Sequence, residues 1–323
     1  MKNITKLIIL LFFFPFLIQS AYPEEEKPFK PRFSIKITGG SAYMSLGDIN
    51  EYLDSKLKFS TEDAERHWPV YYSYTDGIEN IHYGLNFEGD LRINIVLNFS
   101  IGISTGLIDA RKESYSIFRG ESYTTTTTIR ESYEQKILIT PFRLGIYYQL
   151  SLFKRTALLF NVGAGYYFAR STLYDYQHGA THWFIGDLYE RYWTEHTYKV
   201  NGKNFGIHGG IGFEYTLGRN LSLVIEGQGR YAKIKELKGK DIMVTSGASW
   251  ENGKTYWTED KEIIYGTLWY YRWQSEEGIW RTYLPFSDIK PELPPNAPPH
   301  IVRKAMLDLS GFSVKIGIRI GLL

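Results

Sequence analysis

No cysteine occurs among the 323 residues, which excludes a disulfide framework and a cysteine-ligated metal. Beyond the first twenty residues no apolar run is long enough for a membrane helix, and the average hydropathy is negative. Charge of one sign is missing too. The chain sets 37 Lys and Arg against 35 Asp and Glu, a net +2 that gives no basic footprint for nucleic acid. What it has in abundance is tyrosine, at 26 residues, and glycine, at 30. Aromatics make up 16% of a chain that is nonetheless polar on average, as expected where only alternate residues need an apolar solvent.

The N-terminus reads as a secretory signal over residues 1–20. Lys2 and Lys6 precede an apolar run from Leu7 to Ile18, and small Ser20 and Ala21 suit cleavage. The run is short and broken by Pro15, unlike a membrane anchor, and no Cys follows it for a lipid attachment. Residues 21–32 are charged and Pro-rich, an unpaired lead-in. The rest is long enough for two soluble domains but reads as one, residues 33–323, with large loops.

Gly311 to Leu323 organises that reading. Phe312, Val314, Ile316, Ile318, Ile320 and Leu322 alternate with Ser313, Lys315, Gly317, Arg319 and Gly321, a strand with one greasy side. Eleven residues at about 3.3 Å each, tilted by roughly 40°, rise about 28 Å, close to the apolar band of an outer-membrane barrel. Lys315, Gly317, Ile320 and Leu322 occupy the spacing of the C-terminal insertion signal of bacterial outer-membrane proteins. The match ends on Leu322, where that family commonly has an aromatic, and one residue follows it. With the layout below, the chain resembles the small eight-stranded barrels: the OmpA membrane domain, OmpX and OmpW. The resemblance implies an outer-membrane location, lipid as solvent, insertion by the barrel-assembly machinery and no cofactor.

Further strands with this rhythm begin near Phe33, Ile81, Phe99, Lys136, Phe160, Phe205 and Leu221, giving eight in all. Pro141 inside the fourth suggests a bulge. The connections alternate long and short, the long ones near 45–80, 109–131, 169–204 and 235–304. The expected fold is thus an all-β, closed, antiparallel up-and-down transmembrane barrel with short periplasmic turns, long extracellular loops and both chain ends in the periplasm. Ten strands are the alternative, with Lys261–Trp273 and Ile279–Leu284 as a further hairpin, but their poor alternation places that hairpin above the membrane.

Strand parity turns Lys36, Arg143, Arg230, Lys315 and Arg319 inward, with Glu88, Asp90, Glu214 and Glu226. Eight strands leave an interior just wide enough for side chains, so these charges should pair as a structural plug rather than line an ion path. Gly102-Ile103-Ser104-Thr105-Gly106 matches a serine-hydrolase pattern, but its place mid-strand lacks the required strand–turn–helix elbow. His178 and His182 have a helical metal-ligand spacing in a segment read as loop, so no metal is expected. His82 and His208 face inward as hydrogen-bonded side chains.

All eight tryptophans (Trp68, Trp183, Trp193, Trp250, Trp257, Trp269, Trp273 and Trp280) fall in the long connections. Those from Trp250 to Trp280 are candidate contacts for a glycan or protein ligand. Asp76-Gly77 and Asn252-Gly253 are turn signals, so the same aromatics could instead pack on one another in hairpins. The expected function is a non-enzymatic surface protein serving extracellular recognition or envelope integrity. A narrow conduit for small apolar compounds is what resemblance to OmpW implies. A lipid-modifying barrel would need a His with an acid or hydroxyl within about 3 Å at the outer lipid boundary.

Overall fold

The computed structural model describes residues 33–56, 70–76, 81–96, 98–121, 125–183, 188–251, 254–274, 280–288, 290–291 and 300–322. The signal, the lead-in, Trp68, Gly77 and Asn252-Gly253 lie outside them. Alternation becomes strand throughout: β1 (Phe33–Tyr43), β2 (Val70–Asp76), β3 (Tyr83–Val96), β4 (Phe99–Glu121), β5 (Thr125–Phe153), β6 (Thr156–Trp183), β7 (Leu188–Thr216), β8 (Leu221–Ile234), β9 (Lys238–Glu251), β10 (Lys254–Gln274), β11 (Trp280–Tyr283), β12 (Phe286–Ser287), β13 (His300–Lys304), β14 (Leu307–Asp308) and β15 (Gly311–Leu322). Among the described residues one helix, α1, spans 48–56.

Eight strands form a ring. β1 pairs with β3, the antiparallel pairings run on in chain order through β4, β5, β6, β7 and β8, and β15 joins β8 back to β1. The parity read from sequence matches which face is exposed. Ile37 (58%), Leu85 (61%), Ile103 (59%), Leu144 (59%) and Ile316 (55%) stand on the outside, while Lys36, Glu88 and Lys315 are buried within. A belt of large apolar side chains around an antiparallel ring has hydrocarbon as its solvent, and the chain is an integral β-barrel of the outer-membrane kind. Aromatic clusters mark the belt's upper margin: Tyr43 against Tyr83 and Phe312, Phe142 against Phe168, and Tyr166 against Phe205.

Phe33 pairs with Leu322 at one end of the ring, and the tight connections sit at that same end. Phe153 pairs with Thr156 across one of them, and Gly218-Arg219-Asn220 makes another. At the opposite end three expected loops are largely ladder. β4 and β5 stay paired out to Glu121 and Thr126, and β6 and β7 out to Trp183 and Leu188. Thirteen residues of β5 above Leu138 amount to about 40 Å of strand. Above the ring β7 exchanges partners, from β8 along Gly206–Thr216 to β9 along Tyr189–Asn201. The sheet therefore continues as an open canopy, β2-β4-β5-β6-β7-β9-β10. Along Lys254–Gly266, β10 pairs only with β9, and its outer margin is open among the described residues. The suspected extra hairpin exists: β10 pairs with β11 from Tyr271–Tyr283 to Gln274–Trp280, outside the ring of eight. Pro141, by contrast, makes no bulge. The β4–β5 ladder skips the two pairs at Thr140 and Pro141, where the missing donor falls, and resumes in the same register.

The mouth of the ring is filled. Ile49, Tyr52 and Leu53 stand on one face of α1 and pack with Met44, Leu46 and Ile81 against inward Ile137, Ile139, Tyr167, Ala169 and Ile234. Leu268, Tyr270, Leu284, Phe286, Leu307 and Leu309 close this core from the segment after β9. Gly47 (φ 57°) takes the left-handed turn into α1, a conformation glycine adopts cheaply. Asp48 then fastens the helix to the far end of the chain. Its carboxylate accepts from both terminal guanidinium nitrogens of Arg303 (Nη2 at 2.7 Å) and from the Met306 amide at 2.7 Å. Asp48→Ala should cost about 2–3 kcal/mol, because a buried charge-assisted cluster loses its acceptor. Protease nicking within 44–56 should rise while the ring stays heat-modifiable on gels; unchanged nicking would show that α1 is held by its apolar face alone.

Candidate functional site

Three places concentrate polar or aromatic chemistry. Lowest is the lumen of the ring. Lys36 Nζ lies 2.5 Å from Glu226 and 3.6 Å from Asp90, and Lys315 Nζ lies 2.6 Å from Glu88 and 3.2 Å from Glu226. Arg143 reaches Glu88 at 2.5 Å, and Arg319 reaches Glu214 at 2.7 Å. Eight of the nine expected charges thus meet one another. The ninth, Arg230, does not: it turns upward and donates to the carbonyls of Leu309 and Tyr43, both at 2.8 Å, tying the filled mouth to β8. Arg92 belongs to the network instead. It shares inward parity with Asp90, pairs with it at 2.9 Å, and lies flat over Tyr147 at 3.7 Å. Parity alone would have found it.

The second place is the inner face of the canopy. Glu131 and Asp175 stand near each other among Tyr52, Tyr133, Gln177 and Lys56. Tyr133 donates to Glu131 at 3.1 Å, Gln177 donates to it at 3.1 Å, and Lys56 lies 3.5 Å from Asp175. Burial, reinforced by Asp175, holds the Glu131 carboxyl above its ordinary range, and burial likewise raises the phenols of Tyr133 and Tyr198. His196 Nδ1 sits 3.1 Å from Asp241 while its ring stacks on Tyr198. Sequence reading missed this cluster, because its members come from α1, β5, β6, β7 and β9 and only the register brings them together.

The third is on the outer face of the canopy, where Tyr189, Arg191, Ala248, Ser249, Trp250, Thr255 and Trp257 line an open cleft of about 360 Å³. Tyr189 and Trp250 are direct partners across β7 and β9. Trp257 is 68% exposed and meets Trp193 edge-on at 6.2 Å, while the Arg191 guanidinium rests over the Tyr189 ring at 4.9 Å. Of the candidate contact residues, Trp250 and Trp257 are here. Trp273 and Trp280 lie apart, with Arg281 over the first ring and Arg272 over the second. Trp269 is corrected from a surface contact to a buried one: it is 8% exposed, and its indole N–H donates to the Ser287 carbonyl at 2.9 Å.

The remaining sequence signals separate in space. Ser104 is buried mid-strand in β4, opposite Arg143. His178 and His182 both lie on β6, about 13 Å apart along extended chain, too far to share an ion. His82 precedes β3, stacks on Tyr43, and places Nδ1 3.1 Å from the Met44 carbonyl. His208 is buried as expected, but its Nδ1 has no hydrogen-bond partner among the described residues. Of the residues at the spacing of an insertion signal, Lys315 and Gly317 face inward, while Ile320 and Leu322 stand exposed on the belt.

No protein-family model and no curated protein sequence matches the chain. Among solved structures it is similar to the outer membrane protein OprG from Pseudomonas aeruginosa, at 8% identity over 90% of this chain and 95% of that one, with a TM-score of 0.34. It is also similar to the outer membrane protease OmpT from Escherichia coli, at 10% identity over 92% and 99%, with a TM-score of 0.33. At such scores the architecture rests on the strand pairings themselves. The second structure corrects one expectation, that the chain is not an enzyme: a barrel it resembles is a protease, so the layout gives no ground for excluding catalysis, and the exclusion is withdrawn.

Proposed function

We propose that the chain is a surface recognition protein of the outer membrane, with the ring as anchor, the canopy outside the cell and both chain ends in the periplasm. The observation that carries this reading is the outer aromatic cleft above a filled mouth. Trp250, Trp257 and Tyr189 offer flat apolar faces, and Arg191 beside them offers fixed donors; that combination suits the apolar face and the acidic groups of a saccharide. The conduit reading draws support from the apolar residues turned into the upper lumen, but α1 and the side chains of Leu268, Tyr270, Leu284, Phe286, Leu307 and Leu309 already occupy that space. Kinship with the OmpA, OmpX and OmpW group is part of the same proposal, as are the signal peptide and the insertion signal.

The test is a glycan and protein array read with the folded full-length protein and with Trp250→Ala/Trp257→Ala. Trp257 is 68% exposed and Trp250 37%, and neither belongs to the filled mouth, so the variant should fold normally. Loss of two aromatic anchors should weaken saccharide binding by roughly 30-fold or more. Equal binding by the two proteins would remove the cleft from the proposal, and protein hits that survive in the variant would move recognition to another face.

A further inference from the structure

A second open cleft, of about 730 Å³, lies on the outer wall where the lipid-facing belt ends. Its lining comes from three adjacent strands: Phe168, Ala169 and Arg170 of β6, Asn201, Gly202 and Lys203 of β7, and Lys238 at the start of β9, with Glu236 just before it. Register sets their height. Arg170 is opposite Asn201, and Asn201 opposite Lys238, while Lys203 is opposite Phe168. Two residues below Arg170 is Phe168 and two below Lys203 is Phe205, both exposed on the belt. Arg170 and Lys238 therefore sit about 6–7 Å beyond Phe168, and Lys203 lies level with Phe168 and as far beyond Phe205, at the margin of the apolar belt where lipid phosphates lie.

Positive charge outnumbers negative in the lining, with Arg170, Lys203 and Lys238 against Glu236. Among the described residues Arg170, Lys199 and Lys203 meet no carboxylate at ion-pair distance, and Glu236 is already shared between Lys238 at 3.4 Å and Lys304 at 3.1 Å. One rung higher, Lys199 stands directly opposite Lys240, a like-charged cross-strand pair that costs stability unless an anion offsets it. Arg111, by contrast, is answered on its own part of the wall, bridging Glu113 at 2.8 Å and Glu134 at 2.9 Å.

We infer that the cleft of Arg170, Lys203 and Lys238 is a binding site for the phosphate of a membrane lipid in the leaflet on the canopy side, with the acyl chains lying down Phe168, Tyr166 and Phe205. Arg170 supplies a planar donor fork, the two lysines supply point charge, and the aromatics below supply the apolar contact that a soluble anion would not use.

The experiment titrates the full-length protein, folded in nonionic micelles, with diphosphorylated lipid A, its fully dephosphorylated form and inorganic phosphate, and reads bound lipid by native mass spectrometry. Three proteins are compared: wild type, Arg170→Gln/Lys203→Gln/Lys238→Gln, and a charge-matched Lys254→Gln/Lys261→Gln/Lys290→Gln. All six side chains are exposed, and each variant is first checked for heat-modifiable migration. The cleft variant should bind the phosphorylated lipid at least about tenfold more weakly, and the charge-matched variant within about twofold of wild type. Dephosphorylated lipid should not distinguish the three. Equal weakening in both variants would reduce the effect to net charge, equal binding of the dephosphorylated form would remove the phosphate from the site, and inorganic phosphate binding as well as the lipid would leave an adventitious ion only; each result overturns the inference.

Discussion

Glu226→Gln is expected to destabilise the folded barrel by about 3–5 kcal/mol, although the side chain keeps its size. Glu226 lies at the centre of the lumen, where it accepts from Lys36 at 2.5 Å and from Asn161 at 3.3 Å and lies 3.2 Å from the Lys315 ammonium. Both lysines are only 1% exposed, so water does not replace a lost partner. With the charge gone, two buried ammoniums would depend on Glu88 and Asp90, which already serve Arg143 and Arg92. Breaking one side of a buried pair costs far more than never having built it, because the orphaned charge remains desolvated. Urea midpoints of the lipid-folded protein, scored by heat-modifiable migration, measure the effect. A Lys36→Met/Glu226→Leu protein should recover part of the loss, since it removes one orphan as well. A single variant within about 1 kcal/mol of wild type would show that the network is dispensable.

Gly317→Val should be of similar or greater size and should strike assembly itself. Gly317 faces inward on β15, where the last strand meets the first. A Cβ there would fall 1.9 Å from the Ile37 carbonyl oxygen and 2.7 Å from the Thr38 Cα. Both are backbone atoms, so no rotamer change relieves the clash, and β1 and β15 would have to part. Over-packing of this kind costs about 1–3 kcal/mol where neighbours can yield and more where they cannot. Gly89→Ala is the matched control, with nothing within 4 Å of the added carbon. The yield of heat-modifiable protein after folding into lipid should collapse for the first and hold for the second. Equal yields would mean that the seam is looser than its register implies.

The ring was readable from sequence because its two sides meet different solvents. Ile316, Ile318 and Ile320 face hydrocarbon while Lys315 and Arg319 face the packed lumen, so the period of two is imposed residue by residue. Above the belt that contrast fades. β10 between Lys254 and Ile263 is exposed on both faces, and its run of Thr, Glu, Asp and Lys carries no rhythm, so paired strand looked like loop. The filled mouth left a fainter trace. Ile49, Tyr52 and Leu53 at helical spacing after Asp48 are an amphipathic signature, overlooked inside an otherwise polar connection. Partners distant in sequence left none: Asp48 with Arg303, or His196 with Asp241, follow only from which strands become neighbours. Nor does composition separate Trp269 from Trp257. One is enclosed beneath Ser287 and the other stands free on the outer face, and only the turn of β10 over the mouth decides between them.

The margin of β10, open among the described residues, bears on how such proteins share a crowded surface. Its amides and carbonyls along Lys254–Gly266 are a template onto which the same edge of a second copy would pair. Glu259 and Glu262 stand on that rim, where a two-fold-related copy paired about Asp260 and Lys261 would set one against the other. In that register the charges of the rim oppose an edge-to-edge contact.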